Sequence, residues 1–507
     1  MGIADFIDGA IAPLAPGWAA ERMRARAHLE AARSARDGIR QYEAATHDRR
    51  TANWRRDASS ADSENARARQ TLAWAGHDLA RNNKYAAAAV RQLTATIWGD
   101  GIAPQFTHPV KRIQQKAQDS WDRFAESKVD GFGDWYGHGK LMVREMIVGG
   151  EGLELWGPDS TGPDGKVHGM EGAQLDMSKT YRLTGEGNKI IQGVQFSGRE
   201  RVAYWLFDEN PFDVVLGGSL ISRPIAAENV GHLYERLRFG QTRGASWLGA
   251  VAMTLRDIGD IEDAKRLQAK VQACLALVIQ PGEGQSGSPL GTQKAPGDDD
   301  GRRPLEETMR PGSIIRLQSG ETATVVNPTP SADQVDLIRQ QLAGVSANMI
   351  PYHLMTGDVS QANYSGLRAA MNGSYALVDD WQQNEVIPLL CRQAVQRRMR
   401  RLVLETGDRR FLDVGMTFAL PVRRLVDPIK DLLGEIMEIR AGLKLITKSL
   451  AERGINSEDH MKQIAAMNAV MDSLGLALDS DPRRLNDAGT LQLAAGYLAP
   501  KPAQPAD

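Results

Sequence analysis

Between Ser246 and Ile279 apolar residues recur every three or four positions over a longer stretch than an ordinary globular helix uses. Leu248, Val251, Leu255, Ile258, Ile261, Ala264, Leu267, Val271, Cys274, Leu275 and Val278 keep the spacing. It predicts one helix of roughly 30 residues and about 45–50 Å. Pro281 ends it, and the Gly-, Ser- and Asp-rich stretch to Arg303 is the most loop-like part of the chain. A β-rich patch follows, Ser313–Leu317 and Thr322–Val326, closed by Asn327-Pro328. A second amphipathic helix then returns over Ala332–Met349, with Val335, Ile338, Leu342 and Val345 in helical register. Helix, insert and helix back outline a stalk carrying a small head.

The rest of the chain reads as a mainly helical α+β body. Ala19 to about Arg69 is Arg- and Ala-rich, with Tyr42 and Trp54 as isolated aromatics, and reads as an arm that docks on something else. Glu64–Trp98 reads as two helices joined at Asn82-Asn83, the second closed by Gly99-Asp100-Gly101 as a left-handed cap requires. Helices are expected over Ala117–Val129 and Gly137–Val148. Glu151–Tyr234 then turns to short β-rich runs, among them Leu153–Trp156, Ile190–Phe196, Val202–Phe207 and, last, His232–Tyr234. Beyond the stalk come a polar turn region, Pro351–Gly366, and a long helix, Leu367 to about Val403, which Pro388 should kink or break. Asp427–Leu478 is helical and amphipathic, and Leu498–Asp507 is a Pro/Ala tail.

Composition narrows the function. The 507 residues allow two to four domains. Lys+Arg 61 against Asp+Glu 63 leaves a net charge of -2, so no bulk positive charge holds this chain to nucleic acid, and any DNA contact must be local. The basic set is 45 Arg to 16 Lys, a bias that suits planar contacts to carboxylates or phosphates and that a GC-rich genome also produces. Two distant cysteines, Cys274 and Cys391, argue against a disulfide framework or a Cys-based zinc site and fit a reducing compartment. Residues 1–17 lack the basic start of a signal peptide, and no run is apolar enough to span a membrane.

Catalytic motifs are absent. There is no G-x-x-x-x-G-K-[ST] and no G-x-S-x-G. Gly282, Gly284 and Gly287 spell G-x-G-x-x-G, but a helix precedes it and a Pro/Asp loop follows, where a dinucleotide fingerprint needs a strand and then a helix. Nine His show no ligand spacing, so no metal site and no cofactor are expected. Asp298, Asp299 and Asp300 lack the alternation of a calcium loop and read as a solvated acidic loop. No catalytic residue is assigned. A structural or assembly protein is the leading class, and the rival is a metal-dependent nucleic-acid-processing enzyme using the 298–300 carboxylates.

Five segments, in order, resemble the portal proteins of tailed bacteriophages, specifically the lambda-like portal family. They are Asp78–Ala86 with Gly99–Gln105; Val148-Gly149-Gly150-Glu151-Gly152; and Gly240–Leu248, leading into the helix with Glu262-Asp263-Ala264. Next come Tyr352–Asp358 with Asn363-Tyr364-Ser365 and Arg368, and Val426-Asp427-Pro428 with Ile439, Gly442 and Leu443. They cover most of the chain from Tyr42 to Ala465. Gly366-Leu367 departs from the Ser-Ala that the family more often shows, and Ile350 stands where Val is common.

The resemblance implies a ring, usually of twelve subunits, at one capsid vertex of the virion, assembled in the host cytoplasm, through which double-stranded DNA is packaged and ejected. It implies an N-terminal arm (1–60), a wing (61–245 and 367–426), stem helices (246–280 and 329–349), a clip (281–328), a tunnel loop (350–366) and a crown with a C-terminal tail (427–507). It also implies partners: further copies of the chain, DNA, the terminase large subunit, the head–tail adaptor and the major capsid protein, with no membrane. In the clip, Asp298, Asp299, Asp300, Arg302, Arg303 and Arg310 offer contacts to such partners, and a solvated loop face accounts for them equally. In the tunnel loop the candidates facing DNA are His353, Thr356, Asp358, Gln361, Asn363, Tyr364 and Ser365. Each Lys or Arg on a phosphate releases counterions and adds affinity, and none lies between Pro351 and Gly366. Weak polar contacts with repulsion from Asp358 suit sliding. Helix capping by Asn363 or Ser365 and an Asx turn at Asp358 explain the same residues and do not exclude DNA contact.

Overall fold

The computed structural model describes residues 17–18, 21–22, 24–29, 49, 52–53, 58–157, 166–185, 187–215, 220–273, 277–280, 322–325, 333–360, 363–423, 428–453, 455 and 457–476. Two units are present, Met1–Ser59 and Ser60–Asp507. In the first, the described residues include helical positions at 24–29. In the second, helix α1 (Ala61–Asn82) starts on Ser60, whose hydroxyl accepts the Ser63 amide at 3.2 Å. The arm reading to Arg69 therefore stops too late: Ala61–Arg69 belongs to the body, and Arg69 is buried in it.

Helix α2 (Lys84–Ile97) follows directly, because Asn83 ends one helix and caps the next, taking the Tyr85 and Ala86 amides on its side chain. Gly99, at φ 54, closes α2 as its sequence suggested. After β1 (Ala103–Thr107) come α3 (Lys111–Ala125) and α4 (Trp135–Val148). Helix α3 starts and ends earlier than its apolar spacing indicated: its first turn already buries Ile113 in the core. Helix α4 begins at Asp134, whose carboxylate accepts the Gly137 amide at 2.7 Å.

The β-rich stretch folds into two antiparallel sheets. One joins β2 (Glu151–Trp156) to β3 (Val167–Glu171) and later to β9 (Val230–Tyr234). The other runs in order through β4 (Tyr181–Arg182), β5 (Lys189–Ile191), β6 (Val194–Ser197), β7 (Glu200–Phe207) and β8 (Ser222–Ala226). The expected single run Ile190–Phe196 is in fact a hairpin, turned by Gln192 and Gly193 at φ 48 and 86. Two consecutive positive φ values are what a tight hairpin demands.

The long helix is shorter than its periodicity implied. A turn at Trp247–Ala250 leads into α5 (Ala252–Ala273), and Leu277–Gln280 is a strand, β10, paired with β11 (Thr322–Val325). Val278 and Ile279 favour extended backbone, and Pro281 disfavours helix in the residue before it. The 22 residues of α5 span about 33 Å. Helix α6 (Asp333–Asn348) returns beside it. A cleft of about 510 Å³ between the two is lined by Ala250, Val251 and Thr254 on one side and Gln340, Gly344, Val345 and Asn348 on the other, so they run in opposite directions. Both are rooted at one end only: Val251, Leu255 and Ile258 of the first, and Leu342 and Val345 of the second, are buried. Nothing described from Gly259 to Lys270, or from Val335 to Gln341, is buried.

After α7 (Tyr352–Thr356), α8 (Tyr364–Trp381) continues through a π-helical stretch, Gln382–Cys391, into α9 (Arg392–Thr406). Pro388 neither breaks nor ends the helix. The Arg392 amide reaches the Ile387 carbonyl, five residues back, and this wider turn takes in a residue that has no amide to give. Strand β12 (Gly415–Ala419) pairs with β1, and α10 (Pro428–Arg440), α11 (Ile446–Ala451) and α12 (Ser457–Ser473) complete the described chain.

One apolar core joins α1–α9 with β1, β2, β3, β9 and β12, and Trp98, Trp121, Phe124 and Trp135 belong to it. Trp121 meets Trp135 edge-on at 5.8 Å. Trp98 donates to the Tyr136 carbonyl at 2.7 Å across Gly139, where any Cβ would stand 2.1 Å from the indole. A smaller core of Leu153, Leu175, Val194, Tyr204 and Leu206 lies between the sheets.

Candidate functional site

The segment after α6 is braced by its own polar side chains. Thr356 donates to the Tyr352 carbonyl at 2.8 Å and accepts the Asp358 amide at 3.1 Å. Gly357 takes a left-handed φ of 72 and closes α7 on the His353 carbonyl. Asp358 accepts the Ser360 amide at 3.0 Å, an Asx turn, and the Tyr352 hydroxyl at 3.4 Å. Asn363 caps α8, its side chain taking the Gly366 amide at 2.6 Å. Met355 is buried and anchors the segment to the main core. Burial lowers the pKa of His353, which favours its neutral form. Tyr364 and Ser365 are exposed at the start of α8. Gln361 and the six clip candidates, Asp298, Asp299, Asp300, Arg302, Arg303 and Arg310, lie outside the described residues.

The fold brings to this segment what its sequence lacks. Arg339 of α6 lies 3.6 Å from Asp358, and Lys430 of α10 stands 5.5 Å over the Tyr364 ring. Arg368 pairs with Asp431. The Asp358 carboxyl is held below its ordinary range, first by the Ser360 hydrogen bonds and then by Arg339. Its charge is thus partly spent inside the protein. Spacing along the chain gave no hint of these neighbours.

A buried ionic cluster lies at the approach to α5. Glu151, at the start of β2, has no exposed surface. It accepts from Arg69 Nη1 at 2.9 Å, Arg243 Nε at 2.8 Å, the Gly244 amide at 3.1 Å and His232 Nε2 at 3.0 Å. Arg243, also fully buried, gives a second bond to Glu151 from Nη2 and donates to the Gln192 and Gly172 carbonyls at 2.8 and 2.7 Å. The backbones around the cluster touch. A Cβ at Gly150 would stand 2.3 Å from the Ala245 carbonyl carbon, and one at Gly244 would stand 2.0 Å from the Gly150 oxygen. Only glycine permits either approach. Two of the five ordered segments, the Gly-Gly-Glu run and the Thr-Arg-Gly run, therefore meet here. A third joins through α5: Lys84 Nζ and the Tyr85 hydroxyl both reach Glu262 at 2.7 Å, and Asn83 Nδ2 donates to the Leu255 carbonyl at 3.2 Å.

Burial raises the cost of charge on Glu151, but Arg243 and Arg69 outweigh it and hold the carboxyl well below its ordinary range. Burial drives His232 down to about 4, so it is a neutral donor at pH 7. Arg69 is lowered to about 10, by burial first and then by Arg243, and stays charged.

Two outcomes follow from this geometry. Glu151→Gln leaves two buried guanidinium groups without their counter-charge and should lower unfolding free energy by about 3–5 kcal/mol, read as a lower denaturant midpoint at unchanged m-value. Acid should act in the same direction. The folded chain refuses the proton that an unfolded His232 takes near pH 6.5, so stability falls as pH drops from 6.5 to 4, by at most about 1.4 kcal/mol per pH unit from this residue. His232→Gln, which keeps a donor for Glu151 and cannot titrate, should flatten that slope in a pH series of urea melts.

A family model described as phage portal protein, lambda family, matches residues 47–382. The portal protein of Escherichia phage N15 is 23% identical over 458 residues, 76% of this chain and 81% of that protein. Among solved structures, a chain from the virion of a native gene transfer agent particle aligns with a TM-score of 0.44 at 12% identity, covering 76% of this chain and 94% of that one. An HK97 family phage portal protein from Corynebacterium diphtheriae aligns with a TM-score of 0.31 at 12% identity, over 68% and 92% of the two chains.

Proposed function

Since this chain belongs to the lambda family of phage portal proteins, we propose that it acts as one subunit of a ring, usually of twelve, at the portal vertex of the virion. The ring conducts double-stranded DNA during packaging and ejection and has no catalytic residues of its own. The observation that carries this reading is the stalk. Helices α5 and α6 run in opposite directions, are buried among the described residues only at their roots, and give way after α5 to the strand pair β10–β11. A subunit built this way carries the strand pair β10–β11 beyond the exposed part of α5, which suits docking to a terminase large subunit and later to a head–tail adaptor.

In this assignment 246–280 and 329–349 are the stem, 281–328 the clip, 350–366 the tunnel loop, 61–245 with 367–426 the wing, 427–507 the crown and tail, and 1–60 an arm. Capsid contact falls to the wing and arm, and assembly takes place in the host cytoplasm. The tunnel-loop assignment rests on the absence of Lys and Arg from 351–366 and on the pairing of Arg339 and Arg368 with carboxylates.

Negative-stain images of the purified full-length protein should show closed rings with a central hole. A stable monomer at micromolar concentration overturns the proposal. Within the loop, Asp358→Arg should turn a weak contact into a brake. DNA binding should strengthen, the log–log salt dependence should steepen by about 0.9 for each new phosphate contact, and packaging should slow. Packaging at the parent rate, with DNA affinity unchanged, would remove Asp358 from the DNA path.

A further inference from the structure

His77, Glu145 and Glu171 come from three elements, α1, α4 and β3, and place one imidazole nitrogen and two carboxylate oxygens within 4.8 Å of one another. His77 Nε2 lies 3.3 Å from Glu145 Oε1. Two ligands of one tetrahedral ion, each about 2.0–2.1 Å from it, stand about 3.3 Å apart. The Glu145 carboxylate is seated against Gly149, where a Cβ would stand 2.0 Å from its Oε1. A missing side chain thus makes the room that this carboxylate fills. Glu171 is the exposed member, its Oε2 accepting from Asn210 Nδ2 at 3.2 Å, and it is the arm able to swing inward.

Charge at this point is out of balance. Glu145 is only 19% exposed, and two carboxylates face one imidazole. Among the described residues neither carboxylate has an Arg or Lys ion pair. Burial raises the Glu145 carboxyl, with Glu171 and Glu151 adding to it, and the hydrogen bond that His77 donates to Glu145 raises the imidazole. A bound cation would offset the excess of carboxylate charge, releasing any proton from His77 as it binds.

We propose that His77, Glu145 and Glu171 form a site for a first-row divalent transition cation, with water completing its coordination. One imidazole and two carboxylates suit zinc or manganese, whereas magnesium prefers oxygen ligands and keeps most of its water. A cation here braces α1 and α4 to the edge strand β3, one short loop away from Glu151. Sequence spacing could not disclose the site, because residues 77, 145 and 171 share no local motif.

The test uses the full-length protein, stripped with a chelator and titrated with zinc chloride by calorimetry, with thermal unfolding alongside. Saturable uptake of one zinc per chain and a higher unfolding midpoint are expected. Co²⁺ in place of zinc should give visible absorption bands from nitrogen and oxygen ligation. Glu171→Gln, an exposed change that leaves the core untouched, and His77→Ala should each lower zinc affinity by at least about 10-fold. Absence of saturable uptake overturns the proposal, and so does parent-like binding by both variants. The readout is per chain and does not depend on whether the ring forms.

Discussion

A carboxylate with no exposed surface is tolerable only if the chain delivers opposite charge and hydrogen bonds to it, and Glu151 collects both from well-separated stretches. Arg69 is 82 residues away along the chain, His232 is 81 and Arg243 is 92. None of these contacts can form before the helices and strands that carry them are in place. The cluster is therefore a condition on the whole body. If β2, β9, α1 and the approach to α5 are not all docked, at least one buried charge lacks its partner, at a cost of several kcal/mol. Its neutral member is as necessary as the charged ones. A third cation at position 232 would face Arg201 and Arg243, and burial keeps His232 uncharged.

Rigidity at this point carries outward. Gly150 and Gly244 let two backbones touch, so Arg243 enters the cluster at one fixed height, and Ser246, Trp247 and α5 follow within a few residues. On the far side, Glu262 of α5 is held by Lys84 and Tyr85 at the start of α2. The exposed part of α5 is thus aimed by two polar clamps, one beneath its first turn and one about halfway along it. Apolar packing at Leu255 and Ile258 supplies adhesion between them.

What the sequence disclosed follows from the range of the interactions concerned. Helices α1, α2, α4, α6 and α10–α12 are written in apolar spacing, and Asn83, Gly99 and Asn363 act as stops and caps through neighbours a few residues away. The ordered segments also led correctly to the family. What stayed hidden was non-local. Nothing near Glu151 marks it as buried, and Arg69 looked like one more arginine of a polar arm. Helical spacing ran on through Val278 although β10 takes over at Leu277, because the pairing that makes it a strand comes from Thr322–Val325, over forty residues later. Pro388 was legible as a disturbance, but its accommodation in a π-turn depends on how the whole helix packs.

The same distinction governs the proposed channel. A net charge of -2 over 507 residues describes an average, and DNA senses only what faces it. The segment 351–366 carries no cation of its own, yet the fold sets Arg339, Arg368 and Lys430 around it. Arg339 and Arg368 each stand beside a carboxylate, Asp358 and Asp431. An arginine already paired within the protein must give up that partner before it can take a phosphate, and the exchange cancels much of the gain that a solvated arginine would make by releasing counterions. Intramolecular pairing is thus a way to keep arginine in the wall of a conduit without making the wall adhesive. On this view Asp358 and Asp431 matter less for repelling DNA across the channel than for occupying the arginines beside it.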